Sequence, residues 1–534
     1  MRLSIVGLVL LAVSCCTMTN AAATPGKRCK PFSLSEATIP SLQKALDKGV
    51  ITSRQILDYY NERIKRFDGT YHAISEINPD AYTIADQLDA ERKQKKIRGP
   101  LHGIPILIKD NIATGDSMET TAGSLALFKN GCKPTRDSTI AEKLRSAGAI
   151  IMGKACLSEW ANFRTLNGSN APYGDPDGWS GRCGQTANAY NISESPSGSS
   201  AGSAVAVGAD FVTASLGSDT DSSIIAPASR NALVGVRPTL GLVSRDMVIP
   251  IAHSFDTVGP MARTVEDAAI LLEAIAGFDK RDGPTNAPST ENYTVPKYTS
   301  FLKKDGLRGA RIGVPRHVYF DNFHRPEEKP VIEAAIAKLK ELGAIIVDPA
   351  DIPTADEMAD TKPHGNGFEL TSLLFEFKQD VTKYLGQLPQ ECPMKNLEDL
   401  IKFNNENAEK EMPFFKQEMF ELAQNTTDLN DPAYQDSIKN VRELSTKKGI
   451  DAVMDEHKLD ALIEPVDLKL LPPQPWAMAG YPIITVPVGY DSVGVPFGLG
   501  FYGRPLSEPT LFKFAYAYEQ ATKVRKPPVL KPSA

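Results

Sequence analysis

A glycine- and serine-rich stretch from Ser197 to Pro227 most strongly limits what this 534-residue chain can fold into. Its sequence is SGSSAGSAVAVGADFVTASLGSDTDSSIIAP, in which two Ser-Gly segments flank small and β-branched residues. This order predicts a loop, a short tightly packed helix, a strand and a second loop. Serines in such loops are candidate nucleophiles, but serine is a weak nucleophile until a base activates it. The stretch offers five candidates, which are Ser199, Ser200, Ser203, Ser222 and Ser223.

Helix and strand patterns alternate on both sides of this stretch, which predicts an α/β fold with a sheet covered by helices. Between about His364 and His457 the pattern is charged and helical, so we expect a helical insertion or cap there. The α/β pattern then returns, and we therefore expect one domain from residue 24 to residue 534. The predicted strands include Ala149 to Gly153, Ala310 to Val314, Ala344 to Val347, Tyr481 to Val488 and Phe497 to Phe501, and the predicted helices include Ser138 to Gly148, Thr264 to Gly277, Pro326 to Gly343 and Ser507 to Ala521.

The first 23 residues have the pattern of a secretory signal peptide. Arg2 is followed by an apolar run from Leu3 to Val13, and Ala21 to Ala23 supply small residues for cleavage. The apolar run is too short for a permanent membrane anchor, and no later stretch approaches about 18 uninterrupted apolar residues. We therefore expect a secreted protein without a membrane span.

The charge and the cysteine content limit which partners the protein binds and in which cellular compartment it folds. A net charge of −6 argues against a nucleic-acid partner, because such proteins usually carry a clustered basic surface. Removal of the leader leaves five cysteines, which allow at most two disulfides and one remaining thiol, with the pairing open. Four sequons would accept N-glycans in a eukaryotic source. The cysteines are Cys29, Cys132, Cys156, Cys183 and Cys392, and the sequons begin at Asn167, Asn191, Asn292 and Asn425.

Lys109 is the best candidate for the base that a catalytic serine needs. It ends the apolar run in Pro100-Leu-His-Gly-Ile-Pro-Ile-Leu-Ile-Lys-Asp-Asn111, which predicts a buried strand with a cation at its end. Burial disfavours the charged amine, and a fall of roughly three units in its pKa would leave it largely neutral near pH 7. Spacing alone favours the alternative of a snorkelling or salt-bridged lysine beside Asp110.

Two short motifs suggest other chemistry. Gly198 to Gly202 fits the G-x-S-x-G nucleophile elbow of α/β-hydrolases, which would make Ser200 the nucleophile. That fold places its histidine late in the chain, whereas the last 77 residues contain none. Gly498 to Gly503 spells G-x-G-x-x-G, but only 31 residues follow, so we predict a strand and turn rather than a dinucleotide site. The histidines have no metal-ligand spacing, and we expect no metal and no cofactor.

Lys109 in its Pro-Ile-Leu-Ile-Lys-Asp-Asn setting, the loop from Ser197 to Ala204 and the segment from Gly217 to Ala228 together resemble the amidase signature family. Further similarity lies in Leu101-His-Gly-Ile-Pro, Gly153 to Trp160, Gly259 to Arg263 and Ala479 to Pro487. Within the family, the chain most resembles the peptide amidase branch and its secreted fungal and plant relatives.

The resemblance implies a mixed β-sheet sandwiched between helices and a Ser-cisSer-Lys catalytic set. By position, Lys109 corresponds to the lysine, Ser199 to the serine after a cis peptide, and Ser223 to the acylated nucleophile. The backbone N–H groups of four consecutive residues, Thr220, Asp221, Ser222 and Ser223, would form the oxyanion hole. The implied function is a secreted serine amidohydrolase that cleaves the C–N bond of a small amide or a peptide C-terminal amide through an acyl-enzyme.

One departure keeps other functions open. Most relatives have glycine where this chain has Ser222, and a non-glycine residue held at positive φ would cost about 1 to 2 kcal/mol. Activity would then be reduced, or the protein would be a non-catalytic binding homologue. A serine esterase of the α/β-hydrolase type that uses Ser200 is the other alternative.

Overall fold

The computed structural model describes residues 32–165, 168–283, 293–320, 326–358, 367–466 and 475–533. The predicted signal peptide, Cys29 and the sequons at Asn167 and Asn292 lie outside these ranges. None of the helices in the described ranges is long and apolar enough to cross a membrane.

Eleven of the described strands form one mixed sheet, and two short strands pair separately. The strands are β1 (Ile74–Ile77), β2 (Pro105–Lys109), β3 (Ile150–Ala155), β4 (Trp179–Ser180), β5 (Gly184–Gln185), β6 (Ala214–Asp219), β7 (Val234–Arg237), β8 (Thr257–Ala262), β9 (Arg311–Gly313), β10 (Ile345–Val347), β11 (Ala461–Val466), β12 (Ile483–Tyr490) and β13 (Pro496–Tyr502). The order in the large sheet is β1-β3-β2-β6-β8-β7-β12-β13-β11-β9-β10. Strand β2 runs parallel to β3 and β6, and β9 runs parallel to β10 and β11, whereas the other pairs are antiparallel.

Helices flank this sheet, which confirms the predicted α/β class. They are α1 (Ile39–Asp47), α2 (Ser53–Tyr71), α3 (Ala81–Lys93), α4 (Thr139–Ser146), α5 (Ala201–Gly208), α6 (Ile225–Arg230), α7 (Val265–Ile275), α8 (Glu328–Glu341), α9 (Ala355–Met358), α10 (Gly367–Leu385), α11 (Leu397–Glu406), α12 (Ala408–Glu411), α13 (Glu418–Gln424), α14 (Pro432–Ser445), α15 (Asp451–Glu456), α16 (Pro475–Ala479) and α17 (Glu508–Thr522). Their ends follow local capping chemistry: the hydroxyls of Ser138 and Thr264 accept backbone N–H groups at the starts of α4 and α7.

The stretch from Ser197 to Pro227 lies in the middle of the fold and has the predicted order of loop, helix, strand and loop. Every residue of α5 is buried, and β6 lies next to β2 in the sheet. At Gly202 a Cβ atom would lie 2.5 Å from the carbonyl oxygen of Cys156. Only glycine therefore allows α5 to approach the end of β3 this closely.

The segment that was predicted to be a helical insertion contains helices and no strand over residues 367–456. The described residues form two disulfides, Cys132–Cys392 and Cys156–Cys183, a pairing that the sequence left open. The first joins the helical segment to the loop before α4. The second joins the residue after β3 to the loop between β4 and β5.

Candidate active site

Lys109 is the last residue of β2 and is fully buried. Its Nζ donates to Ser199 Oγ (2.7 Å), to Ser218 Oγ (2.9 Å) and to the Ser218 carbonyl oxygen (3.2 Å). Burial lowers the pKa of Lys109 from 10.5 to about 7, although the carboxylates of Asp219 and Asp256 favour the charged form. The amine is therefore partly neutral near pH 7 and lies within hydrogen-bond distance of a serine hydroxyl.

The alternative role for Lys109, a salt bridge with its neighbour Asp110, receives no support. The Asp110 carboxylate instead pairs with Arg182 at 2.9 Å and accepts a hydrogen bond from Thr121. A lysine with no exposed surface also cannot reach solvent with its amine.

The two serine-bearing loops lie side by side. The peptide bond between Gly198 and Ser199 is cis. The backbone N–H of Ser200 donates to the Ser223 carbonyl oxygen at 3.2 Å. Ser199 has no exposed surface, whereas Ser223 is 8% exposed, so Ser223 is the more accessible of the two. The structure thus brings Lys109, Ser199 and Ser223 into one region.

The loop that carries Ser223 is held by buried charges. Asp219 accepts a hydrogen bond from the Ile224 N–H at 2.6 Å and pairs with the buried Arg237. Arg237 also donates to the Thr220 carbonyl oxygen at 3.2 Å, and the Thr220 hydroxyl donates to Asp256 at 2.6 Å. These contacts fix both ends of the segment that was predicted to supply the oxyanion hole.

Within the described residues, the backbone N–H groups of Ser222 and Ser223 have no hydrogen-bond acceptor. They belong to the four consecutive residues whose backbone amides were predicted to converge on one anion as the oxyanion hole. Ser222 has a φ of +67°, which lies in the left-handed region that favours glycine. Its hydroxyl donates to the Asp221 carboxylate at 3.1 Å.

The backbone conformation at Ser222 leads to a stability prediction. We expect Ser222→Gly to have a free energy of unfolding about 1 kcal/mol larger than Ser222→Ala, because only alanine keeps a Cβ atom at positive φ. Both substitutions remove the hydrogen bond to Asp221, so their difference isolates the backbone effect. Urea denaturation measures both values, and a more stable alanine variant would contradict the prediction.

The other serines of the stretch have structural contacts. Ser200 Oγ donates to the Ser218 carbonyl oxygen at 3.1 Å, and Ser203 Oγ donates to the Leu216 carbonyl oxygen at 3.0 Å. The ring nitrogens of three described histidines, His102, His253 and His317, contact Leu88, Asp380 and Asp356 respectively. Ser200 Oγ has no hydrogen bond to a histidine in the described ranges, so the esterase alternative lacks its catalytic partner there.

Several groups around Lys109 were not predicted from the sequence. Ser218 Oγ receives hydrogen bonds from both Lys109 and Asn111, the latter at 2.9 Å, although Ser218 was not among the candidate serines. Arg237 ends the apolar strand β7 just as Lys109 ends β2. This shared pattern was enough to predict Arg237 as a second buried cation at a strand end. Asp256 precedes β8, and its proximity to Thr220 follows only from the antiparallel pairing of β6 and β8.

A cavity of about 150 Å³ extends from this region toward the surface. Its lining includes Asn111, Ser218 and Thr220, together with Asp380 and Tyr384 of α10. The helical segment therefore borders a cavity that is also lined by Ser218, a hydrogen-bond partner of Lys109.

One cluster of three side chains in the described residues has the residue types that bind metal ions. His253, Glu376 and Asp380 offer ligand atoms that lie within 4.8 Å of one another. They already bind protein groups: His253 Nδ1 lies 2.9 Å from Asp380, and Glu376 accepts hydrogen bonds from the Ser254 N–H and the Tyr434 hydroxyl. These contacts join α10 to the loop before β8, and no metal is needed to explain them.

Comparison with known proteins gives a consistent set of similarities. The family model described as Amidase matches residues 55–474. A probable amidase of Arabidopsis thaliana is 40% identical over 503 residues, which cover 93% of this chain and 92% of the relative. A putative amidase of the fungus Arthroderma benhamiae is 40% identical over 537 residues, which cover 92% of this chain and 86% of the relative.

The chain is also similar to solved structures of amidases. The native peptide amidase of Stenotrophomonas maltophilia is 41% identical, with a TM-score of 0.86, and the match covers 94% of this chain and all of that one. A peptide amidase in complex with the competitive inhibitor chymostatin is also 41% identical, with a TM-score of 0.85 and coverage of 93% and 100%.

Proposed function

The chain belongs to the amidase signature family of enzymes that hydrolyse amide C–N bonds, and on this premise we propose that it is a secreted serine amidohydrolase that uses Ser223, Ser199 and Lys109. Its substrates are small amides or peptide C-terminal amides, in line with its similarity to peptide amidases. The observation that carries the proposal is the 2.7 Å hydrogen bond between Lys109 Nζ and Ser199 Oγ, made by a buried amine whose pKa is about 7.

In the proposed acylation step, Ser223 Oγ attacks the amide carbonyl carbon. Ser199 Oγ accepts the proton of Ser223 and passes its own proton to the neutral amine of Lys109. The backbone N–H groups around Ser222 and Ser223 stabilise the negative oxygen of the tetrahedral intermediate. The C–N bond then breaks, and the relay returns the proton to the leaving nitrogen.

Deacylation follows the same route with water as the nucleophile. Water loses a proton to the Ser199 and Lys109 relay as it attacks the acyl carbon, and Ser223 recovers a proton when the carboxylic acid leaves. Apart from the substrate and water, all groups in both steps belong to this chain, and the proposed reaction uses no cofactor.

We further propose that the chain is exported from the cell. The signal-peptide pattern of residues 1–23 supports it, and two disulfides suit an oxidising compartment. Asn425 is exposed and Asn191 is partly exposed, so both sequons are accessible to glycosylation in a eukaryotic secretory pathway. Expression of the full chain with mass analysis of the culture medium tests this: we expect a chain that begins near Thr24, and retention of the leader inside the cell would contradict export.

Ammonia release from a substrate panel tests the reaction. The panel contains amino-acid amides, N-acetylated amino-acid amides, dipeptide amides and the matching methyl esters. We expect ammonia from at least one class of amide. Ester hydrolysis without any amide hydrolysis would favour the Ser200 esterase, and tight binding without turnover would favour a binding homologue.

A further inference from the structure

The disulfide between Cys156 and Cys183 lies beside both halves of the proposed proton relay. Cys156 is fully buried and directly follows β3, whereas Cys183 is partly exposed in the loop between β4 and β5. The two cysteines are only 27 positions apart. The disulfide therefore closes a small loop, and the contacts on each side of it decide what that loop holds in place.

The chain on the Cys156 side is attached to the strand that carries the base. Ala155, the residue before Cys156, pairs with Lys109 in the parallel register of β3 and β2. The Ala155 carbonyl oxygen also accepts a hydrogen bond at 3.0 Å from the N–H of Asp110. Cys156 is therefore held next to the end of β2, where Lys109 lies.

The same part of the chain is attached to the loop that carries the relay serine. The Ser158 N–H donates to the Ser199 carbonyl oxygen at 3.0 Å. The Gly202 N–H donates to the Cys156 carbonyl oxygen, also at 3.0 Å. The segment from Ala155 to Ser158, which we call the bridging segment, thus joins the strand of the base to the loop of the relay serine.

The Cys183 side of the disulfide returns to the base by a second route. Its neighbour Arg182 has a side chain that is only 5% exposed. This guanidinium pairs with Asp110 at 2.9 Å and with Glu76 of β1 at 2.5 Å. Because Asp110 directly follows Lys109, the ion pair attaches the loop of Cys183 to the end of β2.

The two routes form a closed ring of contacts around the base. Its members, in order around the ring, are Lys109, Asp110, Arg182, Cys183 and Cys156. The disulfide is the covalent link that closes the ring, and without it the bridging segment is held by hydrogen bonds alone. Proton transfer needs heavy atoms within about 2.6 to 3.2 Å of each other, so a small displacement of this segment would slow the relay.

We propose that the Cys156–Cys183 disulfide is a positioning element for the reaction. It keeps the bridging segment in place, and it thereby keeps Lys109 Nζ within hydrogen-bond distance of Ser199 Oγ and shielded from water. This inference rests on the proposed amidase function. It deepens that function by adding Cys156, Cys183 and Arg182 as positioning residues on which proton transfer depends.

Opening this disulfide should change the base as well as the geometry. Burial lowers the pKa of Lys109 to about 7, while the carboxylates of Asp219 at the end of β6 and Asp256 before β8 act in the opposite direction. Water that reaches a loosened relay favours the charged amine, so the pKa of Lys109 should rise toward its ordinary value. More of the enzyme would then be protonated and inactive at neutral pH.

The double variant Cys156→Ser/Cys183→Ser tests the proposal. We expect kcat for amide hydrolysis to fall by about tenfold to a hundredfold, with KM within about threefold of the wild-type value. The midpoint of the pH profile of kcat/KM should rise by about half a pH unit or more. Carbon-13 NMR of the lysine ε-carbon, assigned by its loss in Lys109→Met, measures the same pKa without turnover. This readout works even if the wild type hydrolyses none of the amides.

The second disulfide provides the matched control. Cys132 and Cys392 are 260 positions apart, so their disulfide closes a much longer loop than Cys156–Cys183 does. The loss of a longer loop constraint should cost more stability. We therefore expect Cys132→Ser/Cys392→Ser to be the less stable variant in urea denaturation and to keep the wild-type pKa of Lys109.

Arg182→Lys tests the other half of the ring if the double serine variant does not fold. Lysine keeps the positive charge but lacks the planar fork that binds Asp110 and Glu76 together, so the pKa of Lys109 should rise here too. A folded Cys156→Ser/Cys183→Ser variant with the wild-type kcat and the wild-type pKa of Lys109 would overturn the proposal. Equal shifts of this pKa in the two disulfide variants would also overturn it, because the effect would then follow from lost stability.

Discussion

Ser223→Ala is expected to lower kcat for amide hydrolysis by about a thousandfold or more. In this variant no hydroxyl remains to form the acyl-enzyme, while Lys109 and Ser199 keep their 2.7 Å hydrogen bond. The substitution removes one oxygen atom from a nearly buried side chain and should preserve the fold. Ammonia release under substrate saturation measures the loss, and the unfolding transition checks the fold.

Ser203→Ala is the matched control for Ser223→Ala. Ser203 is a buried serine of the same stretch, and its hydroxyl donates to the Leu216 carbonyl oxygen, within the packed contact between α5 and β6. We expect it to lose some stability and to keep its activity. If Ser200→Ala abolished hydrolysis while Ser223→Ala retained it, the assignment of the nucleophile would be wrong.

Lys109→Met should reduce kcat/KM by about a hundredfold to ten-thousandfold, since it removes the proton acceptor and keeps an unbranched side chain of similar length. The pH profile of the wild-type enzyme should show the same dependence of the rate on the Lys109 amine. The neutral amine is the base, so kcat/KM is expected to rise as pH increases through about 7 and to level off above that value. Lys109→Met should lack this rise.

Lys154→Met provides the matched control for the buried charge. Lys154 lies on the neighbouring strand β3, is also fully buried, and has a pKa that burial lowers to about 8. It donates to the Ile112 carbonyl oxygen and the Thr120 hydroxyl rather than to the catalytic serines. We expect lower stability with an unchanged midpoint in the pH profile. A wild-type rate in Lys109→Met at neutral pH would contradict the proposed role of Lys109.

The strands and helices that depend on residues close together in the sequence were predictable from it. The apolar run before Lys109 indicated a buried strand with a cation at its end, and the structure has this strand as β2. The small residues after Ser200 indicated a tightly packed helix, and α5 is entirely buried. Helix starts at Thr139 and Val265 were predictable to within one or two residues, because Ser138 and Thr264 cap them locally.

Other features depend on residues that are distant in sequence. The disulfide between Cys132 and Cys392 spans 260 residues, and no local pattern selects that pair. The support that Arg237 gives to Asp219 depends on the order of strands in the sheet. The interaction of Glu464 with Tyr502 depends on the register of β11 against β13, which places Glu464 opposite Gly500. A single sequence does not supply this register.

The identity of the acylated residue tests the central claim most directly. The wild-type enzyme is quenched with acid during turnover of an aryl amide whose acyl group is released slowly, and the digested protein is analysed by mass spectrometry. Our account predicts an acyl group on Ser223 that is absent from the Ser223→Ala variant. An acyl group on Ser199 or Ser200 instead, or hydrolysis that continues in Ser223→Ala at the wild-type rate, would contradict it.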